Sequence, residues 1–472
     1  MSEKTRFEED SLGKLPVHEG AYYGIQTLRA AQNFPISGLK AAPELVEAVV
    51  QIKKAAARVN SELGRLEKDK AQAIIKACDE ILAGRLRDQF LVDVFQMGAG
   101  TSFHMNCNEV IANRAEEMMG GKKGEYRLIH PIDQVNMGQS TNDVYPTAMR
   151  LALLSRLRDL FYPASKAIEE AFTAKGKEFD NILKSGRTHL QDAAPIRLGQ
   201  EFTAYGRALS KARGFLEKAA LSLLELGIGG SAVGTGLNTS PEYSDLMAKC
   251  LSEQTKFDLV KSEDLREAMQ SMRPLAEVSA ALRNIALEMN RIANDLRLLS
   301  SGPKTGLAEI ILPPVAPGSS AMPGKVNPSM LEMMNMVCFQ VIGCDLAVST
   351  AVQAGQLELN VMMPVIAFNL SFMIQILGNS FREVKTRCID GIQADDERCR
   401  RYAESSLGLV TALSPYIGYS KAAEVAIEAL KTGKSLTEVV EERGLLNKER
   451  LREILDPAKM TEPGTPTLKK KR

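Results

Sequence analysis

LAEVSAALRNIALEMNRIANDLRLL, residues 275–299, decides the fold. Its apolar residues Leu275, Val278, Leu282, Ile285, Met289, Ile292, Leu296 and Leu299 are spaced by alternating steps of three and four. On an α-helix that alternation lays a single apolar seam along one face. Two further stretches repeat it: Phe202, Tyr205, Leu209, Ala212, Leu216, Ala219 and Leu223, and then Met330, Met334, Val337, Val341, Cys344 and Val348. Each seam predicts a helix of twenty residues or more, longer than the globular mean. Long helices with such seams pack nearly parallel in bundles. A fourth stretch, VMMPVIAFNLSFMIQIL at 361–377, is apolar almost all round. It is short for a bilayer crossing and carries Asn369, Ser371, Gln375 and an internal Pro364, which predicts a helix buried in a large core and no membrane span. Together these seams exceed what one chain can cover, which predicts a homo-oligomer.

A chain of 472 residues, 44% hydrophobic and 25% charged, has the composition of a soluble globular protein with two or three domains. Lys+Arg of 59 against Asp+Glu of 58 leaves a net charge of +1, which gives no electrostatic footprint for nucleic acid or an anionic membrane. The seven cysteines are scattered without a Cys-x-x-Cys pair, so neither a disulfide framework nor a zinc ribbon is indicated. With a charged N-terminus, MSEKTRFEED, this predicts a cytoplasmic location.

Three domains are expected. Residues 1–143 read as a mixed, mostly helical domain with short helices such as 44–63, residues 144–394 as the long-helix bundle, and residues 395–472 as a small helical domain. In the last, Ser435-Leu-Thr-Glu438 is a capping box and Gly444 a helix stop. TEPGTPTLKKKR at 461–472 has the composition of a disordered tail. GIGGSAVGTGLNT at 227–239 follows a helix and lacks Gly-Lys-Ser/Thr, so it reads as a flexible connection and not as a phosphate cradle.

Four polar, glycine-led segments stand out, each expected to lead into a helix: GAGTSFHMN (98–106), MGQSTND (137–143), GRTHLQDAAP (186–195) and GSSAMPGKVNP (318–328). They are rich in hydroxyl and amide donors and poor in acids. Asn327-Pro328 reads as N-cap and first helical residue, and a helix N-terminus beside Lys325 is an anion site. Such a set suits a small carboxylate ligand. Taken singly, each segment reads more readily as an ordinary turn or cap; it is the four together that suggest a site. His104 and Cys107 lie three apart, but two ligands make no metal site and no third is evident. No Rossmann unit appears, so no organic cofactor is expected.

GSSAMPGKVNP resembles the signature loop of the aspartase/fumarase superfamily, whose members catalyse reversible β-eliminations that release fumarate. The resemblance runs from EEDSLGKLPVHEGAYYGIQTLRA to about GLLNKERLREIL, almost the whole chain. It implies a mainly α, three-domain fold with a central bundle of long helices, a homotetrameric helical core and active sites built from three subunits. GAGTS at 98–102, Thr141 in QSTND and GQLELNVM at 355–362 resemble the aspartase branch, which deaminates L-aspartate; the fumarases are the alternative, and a silent scaffold a third. Two positions depart from both branches. His104 stands where asparagine is usual, and Met363 where aspartases tend to have glutamate and fumarases lysine.

The difficulty of that chemistry is removing a proton beside a carboxylate, because the product is a dianionic enediolate needing fixed donors around it. By the resemblance, Thr101, Ser140, Thr141 and Ser320 would hold the reacting carboxylate, and Lys325 and Asn327 the other. Asn142, Thr188 and His189 would surround the departing amino group, Met322 would pack over substrate, and Ser319 would be the general base. Glu332 would orient His189, and Arg29 matches an arginine of the family's N-terminal segment. Ionising a serine would fall to Lys325, backbone N–H groups and the exclusion of water.

Overall fold

A computed structural model describes residues 4–465. The expected tail therefore lies largely outside the described residues, from 466 to 472. Among the described residues the strands form only two-stranded sheets, and helices dominate, so the fold is mainly α as expected. In chain order they are β1 (Thr5–Asp10), β2 (Gly13–His18), α1 (Ile25–Asn33), α2 (Pro43–Glu62), α3 (Lys68–Leu82), α4 (Thr101–Met118), α5 (Thr141–Arg156), α6 (Tyr162–Glu178), β3 (Leu183–Thr188) and β4 (Gln191–Arg197). Then come α7 (Leu198–Ala220), α8 (Tyr243–Thr255), α9 (Leu265–Gln270), α10 (Arg273–Leu299), α11 (Ser329–Gln353) and α12 (Met363–Arg387). Shorter helices α13 (Asp396–Ser405), α14 (Ser414–Ile417), α15 (Tyr419–Thr432), α16 (Leu436–Glu442) and α17 (Lys448–Ile454) close the chain.

The seams are where the spacing put them. All eight seam residues of α10 are buried, from Leu275 to Leu299. On α7 Phe202, Tyr205, Leu209, Ala212 and Leu216 are buried, and on α11 Met334, Val341, Cys344 and Val348. Asp345 of α11 accepts from Ser279 Oγ (2.7 Å) and pairs with Arg283 (3.0 Å), while Asn335 bonds Asn290 (2.7 Å) and Arg297 (2.9 Å). Those pairs run in opposite directions along the chain, so α10 and α11 are antiparallel.

Two compact units are present. Among the described residues, one comprises 4–163, Ala212–Ala286 and Val337–Asn379; the other comprises Ala164–Lys211, Leu287–Met336 and 380–465. In the first, α2 packs on α3, α5 and α8. The second holds an aromatic cluster in which Phe202 meets Phe172 (6.2 Å) and Phe179 (5.2 Å), together with the β3–β4 hairpin. Its C-terminal core gathers Leu413, Val425, Val439, Val440, Leu451 and Ile454, and the Ser435–Glu438 capping box forms as read.

Several local expectations are corrected. Segment 44–63 is no short helix: α2 runs 20 residues from Pro43, which sets φ for its first turn. Pro364 is not internal but the second residue of α12, where its missing N–H costs nothing. Apolar windows in α11 and α12 meet membrane-span length and composition, and the α12 window is 67% buried within the protein, as a core helix requires. The α11 window is only 39% buried, and its outer face shows Met336, Phe339 and Leu346 to solvent.

Candidate active site

The first unit places two helix N-termini side by side. Chain 98–100 turns sharply into α4, with Ala99 at φ 60° and Gly100 at φ 86°. A Cβ on Gly100 would stand 2.2 Å from the Tyr145 ring, so only glycine permits this approach. Ala99 N donates to Val361 O (2.8 Å), fixing the turn, and Thr101 opens the helix half-buried. Ser140 caps α5: its Oγ accepts from Asn142 N (3.2 Å), while Asp143 Oδ1 accepts from Ser140 N (2.9 Å). His104, one turn into α4, bonds Thr141 Oγ1 through Nδ1 (2.7 Å). Thr101, Ser140, Thr141 and Asn142 are thus gathered at the positive ends of two helix dipoles, suited to an anion.

Asp143 ties in the glycine-rich segment. Its buried Oδ2 accepts from Gly229 N and Ser231 N (both 3.0 Å), and Asn142 Nδ2 donates to Ala232 O (2.8 Å). The reading of 227–239 as a flexible connection is therefore wrong: the stretch is pinned to the start of α5. Burial lifts the Asp143 carboxyl to about 6 despite these backbone donors.

Lys53, which the sequence reading passed over, lies fully buried behind Thr141. Its Nζ contacts His104 Nε2 (2.6 Å), Asn136 Oδ1 (2.8 Å) and Gln139 Oε1 (2.9 Å). Burial brings its amine down to about 7, and burial together with the Lys53 charge holds the His104 imidazole well below its usual range. A signal existed. Val46, Val49, Lys53, Ala56 and Asn60 follow the same three–four spacing on α2, so a lysine and an asparagine occupy core positions.

The second unit carries the rest. GRTHLQDAAP, expected to lead into a helix, instead forms the tip of the β3–β4 hairpin. His189 (φ 52°) and Leu190 (φ 62°) make a two-residue turn, with Thr188 paired to Gln191. Thr188 and His189 are exposed. Below them, Arg187 grips buried Glu309 with 2.9 and 3.0 Å contacts, and buried Lys184 bridges Glu201 (2.7 Å) and Glu309 (3.3 Å). That ion cluster stiffens the hairpin under an open tip.

Residues 318–328 form a closed loop. Gly318 N donates to Lys325 O (2.7 Å) and Asn327 Nδ2 to Gly318 O (2.8 Å). A Cβ on Gly318 would meet Lys325 O at 2.6 Å, and Gly324 sits at φ 78°. Asn327 is therefore not the N-cap of α11: its amide laces the loop ends, and Pro328 O accepts the first helical bonds from Leu331 and Glu332. Ser319 Oγ accepts from Ala321 N (3.1 Å) and Met322 N (2.9 Å). Ser320, Met322 and Lys325 are exposed. Arg29 binds Asp10 (2.7 Å) and Gly13 O (2.9 Å), which holds the β1–β2 hairpin. Among the described residues no cluster of three or more His, Cys, Asp or Glu is placed to hold a metal, and His104 is already engaged on both ring nitrogens.

Long seamed helices thus present glycine-shaped, donor-rich loops suited to an anionic ligand. Residues 13–343 match the family described as Lyase, and residues 409–462 match Fumarase C C-terminus. The chain belongs to the aspartase/fumarase superfamily. It is 48% identical to an aspartate ammonia-lyase of Bacillus sp over 98% of this chain and 99% of that one. It is 49% identical to an aspartate ammonia-lyase of Escherichia coli over 98% and 97%. A class II fumarase structure from Schistosoma mansoni superposes with TM-score 0.95 at 37% identity, covering 98% of this chain and 100% of that one.

Proposed function

We propose that this protein deaminates L-aspartate reversibly to fumarate and ammonia by anti β-elimination. Near-half identity over the full length to proteins named aspartate ammonia-lyase carries that reading. Thr101, Ser140, Thr141 and Ser320 hold the carboxylate beside the carbon that loses its proton. Lys325 and Asn327 take the other carboxylate, Met322 covers the substrate, and Asn142, Thr188 and His189 surround the departing amino group, with Glu332 orienting His189. The neutral donors and helix N-termini around Thr101 and Thr141 support this division, because an enediolate gathers charge where they point. Ser319 removes the proton. Its Oγ already receives two backbone N–H groups, which stabilise an alkoxide more than a hydroxyl. The exposed glycine loop carries the serine to substrate and excludes water as it closes.

The protein works as a homotetramer, with each site completed by segments of three subunits. Exposed Met336, Phe339 and Leu346 on α11 and Leu287 and Leu298 on α10 support this, since apolar helix faces of that size are otherwise costly in water. Phe339→Glu with Leu346→Glu is expected to shift the light-scattering mass to smaller species and abolish turnover together; a fully assembled double variant contradicts the interface. The boundaries near 143 and 394 divide the chain into three domains. Seven free, buried cysteines fit a reducing cytoplasm.

The deciding assay supplies L-aspartate or L-malate to purified protein and follows fumarate by ultraviolet absorbance. Fumarate from aspartate alone supports the reading. Fumarate from malate alone makes the protein a fumarase, and none from either makes it a silent scaffold.

A further inference from the structure

The contacts of Lys53 leave its hydrogens little choice. Asn136 Nδ2 donates to Gln139 O (3.2 Å), and Gln139 Nε2 donates to Val135 O (3.1 Å) and Met137 O (3.2 Å). Both amide oxygens therefore face Lys53 and only accept. Two amine hydrogens are committed, and the third direction points at His104 Nε2.

A charged ammonium has a third hydrogen to give. It donates to Nε2, so neutral His104 carries its proton on Nδ1 and donates to Thr141 Oγ1. The threonine's own hydrogen is then free for a ligand. A neutral amine presents a lone pair instead. His104 must then donate from Nε2, its bare Nδ1 accepts the Thr141 hydrogen, and the hydroxyl offers outward only lone pairs, which repel a carboxylate.

We propose that Lys53 and His104 are positioning residues that set the direction of the Thr141 hydroxyl, so that a dicarboxylate binds when Lys53 is an ammonium. This rests on the reading that places Thr141 against the substrate carboxylate. The titratable groups facing Lys53 are His104 and Cys107 from α4, Cys78 from α3 and Asp143 from α5, with Tyr243 of α8 beyond Asp143. Burial raises both thiols and the Tyr243 phenol, so they stay neutral, while Asp143, itself lifted to about 6, favours the ammonium where it is ionised, above that pH. With the amine near 7, both states are reached around neutral pH.

The test uses the assembled enzyme, with succinate as an unreactive dicarboxylate and its competitive inhibition constant measured from pH 6 to pH 8. A ligand that requires the ammonium loses affinity in proportion to its population, about tenfold over that range for a group titrating near 7. His104→Asn fills the Nδ1 position beside Thr141, but its amide is too short to reach Lys53 as well and so uncouples the hydroxyl from the amine. It is expected to flatten the rise to within about twofold, because the hydroxyl no longer follows the amine. His104→Leu, which breaks the relay, is expected to flatten it as well. Thermal melting of each variant checks that the fold persists. A wild-type profile retained in both folded variants, or a flat profile in a wild type that turns over aspartate, overturns the relay. A wild type that neither binds succinate nor consumes aspartate overturns the site reading beneath it.

Discussion

Ser319→Ala is expected to lower kcat for aspartate by about 10²–10⁴-fold, the usual contribution of a placed general base. KM should move little, because Ser320, Lys325 and Asn327 remain to bind carboxylates. The loss should not be structural. Ser319 Oγ accepts from Ala321 N and Met322 N at the half-buried start of an otherwise open loop, where water can replace the lost acceptor. The loop's own shape rests on the Gly318–Lys325 and Asn327–Gly318 bonds, which the substitution leaves in place. Circular dichroism and light scattering should therefore match the wild type while turnover collapses. Turnover within threefold of wild type would remove Ser319 as the base.

The same loop shows how far a sequence can be read. Its glycines and hydroxyls are local turn chemistry, and turn chemistry is written in neighbouring residues. The seams of α7, α10 and α11 were legible because burial on a long helix repeats with its period. What depended on distant packing was not. Asn327 and Pro328 look like a cap in any sequence, yet Asn327 gives one amide hydrogen to Gly318 O, nine residues back, and leaves the helix start to Pro328. GRTHLQDAAP reads as a loop before a helix, but strand pairing across Thr188 and Gln191 makes it a hairpin tip. Lys53 follows Ile52 and precedes Lys54, and only its seam position separates a buried amine from a solvated one. Buried polar networks escape local reading because their partners, here Asn136, Gln139 and His104, lie 51 to 86 residues away.

Asp143→Ala should be the most damaging single change outside the reactive loop, and should injure stability and activity together. The carboxylate is fully buried and serves three backbone donors: Ser140 N on Oδ1, Gly229 N and Ser231 N on Oδ2. Alanine leaves all three without an acceptor, at roughly 1–3 kcal/mol for each buried group. A total of about 3–9 kcal/mol is comparable to the whole margin of many domains. The same carboxylate is half of the capping box that aims Ser140, Thr141 and Asn142, and it holds the segment whose Ala232 O anchors Asn142. Thermal midpoint and kcat/KM should fall together in Asp143→Ala. Asp143→Asn keeps one acceptor oxygen but turns an amide N–H₂ toward a donor, so it should lie between alanine and wild type in both measurements. An alanine variant with wild-type melting but no activity would mean that Asp143 serves the chemistry and not the scaffold. The reverse result would detach the pinned glycine segment from the placement of Asn142.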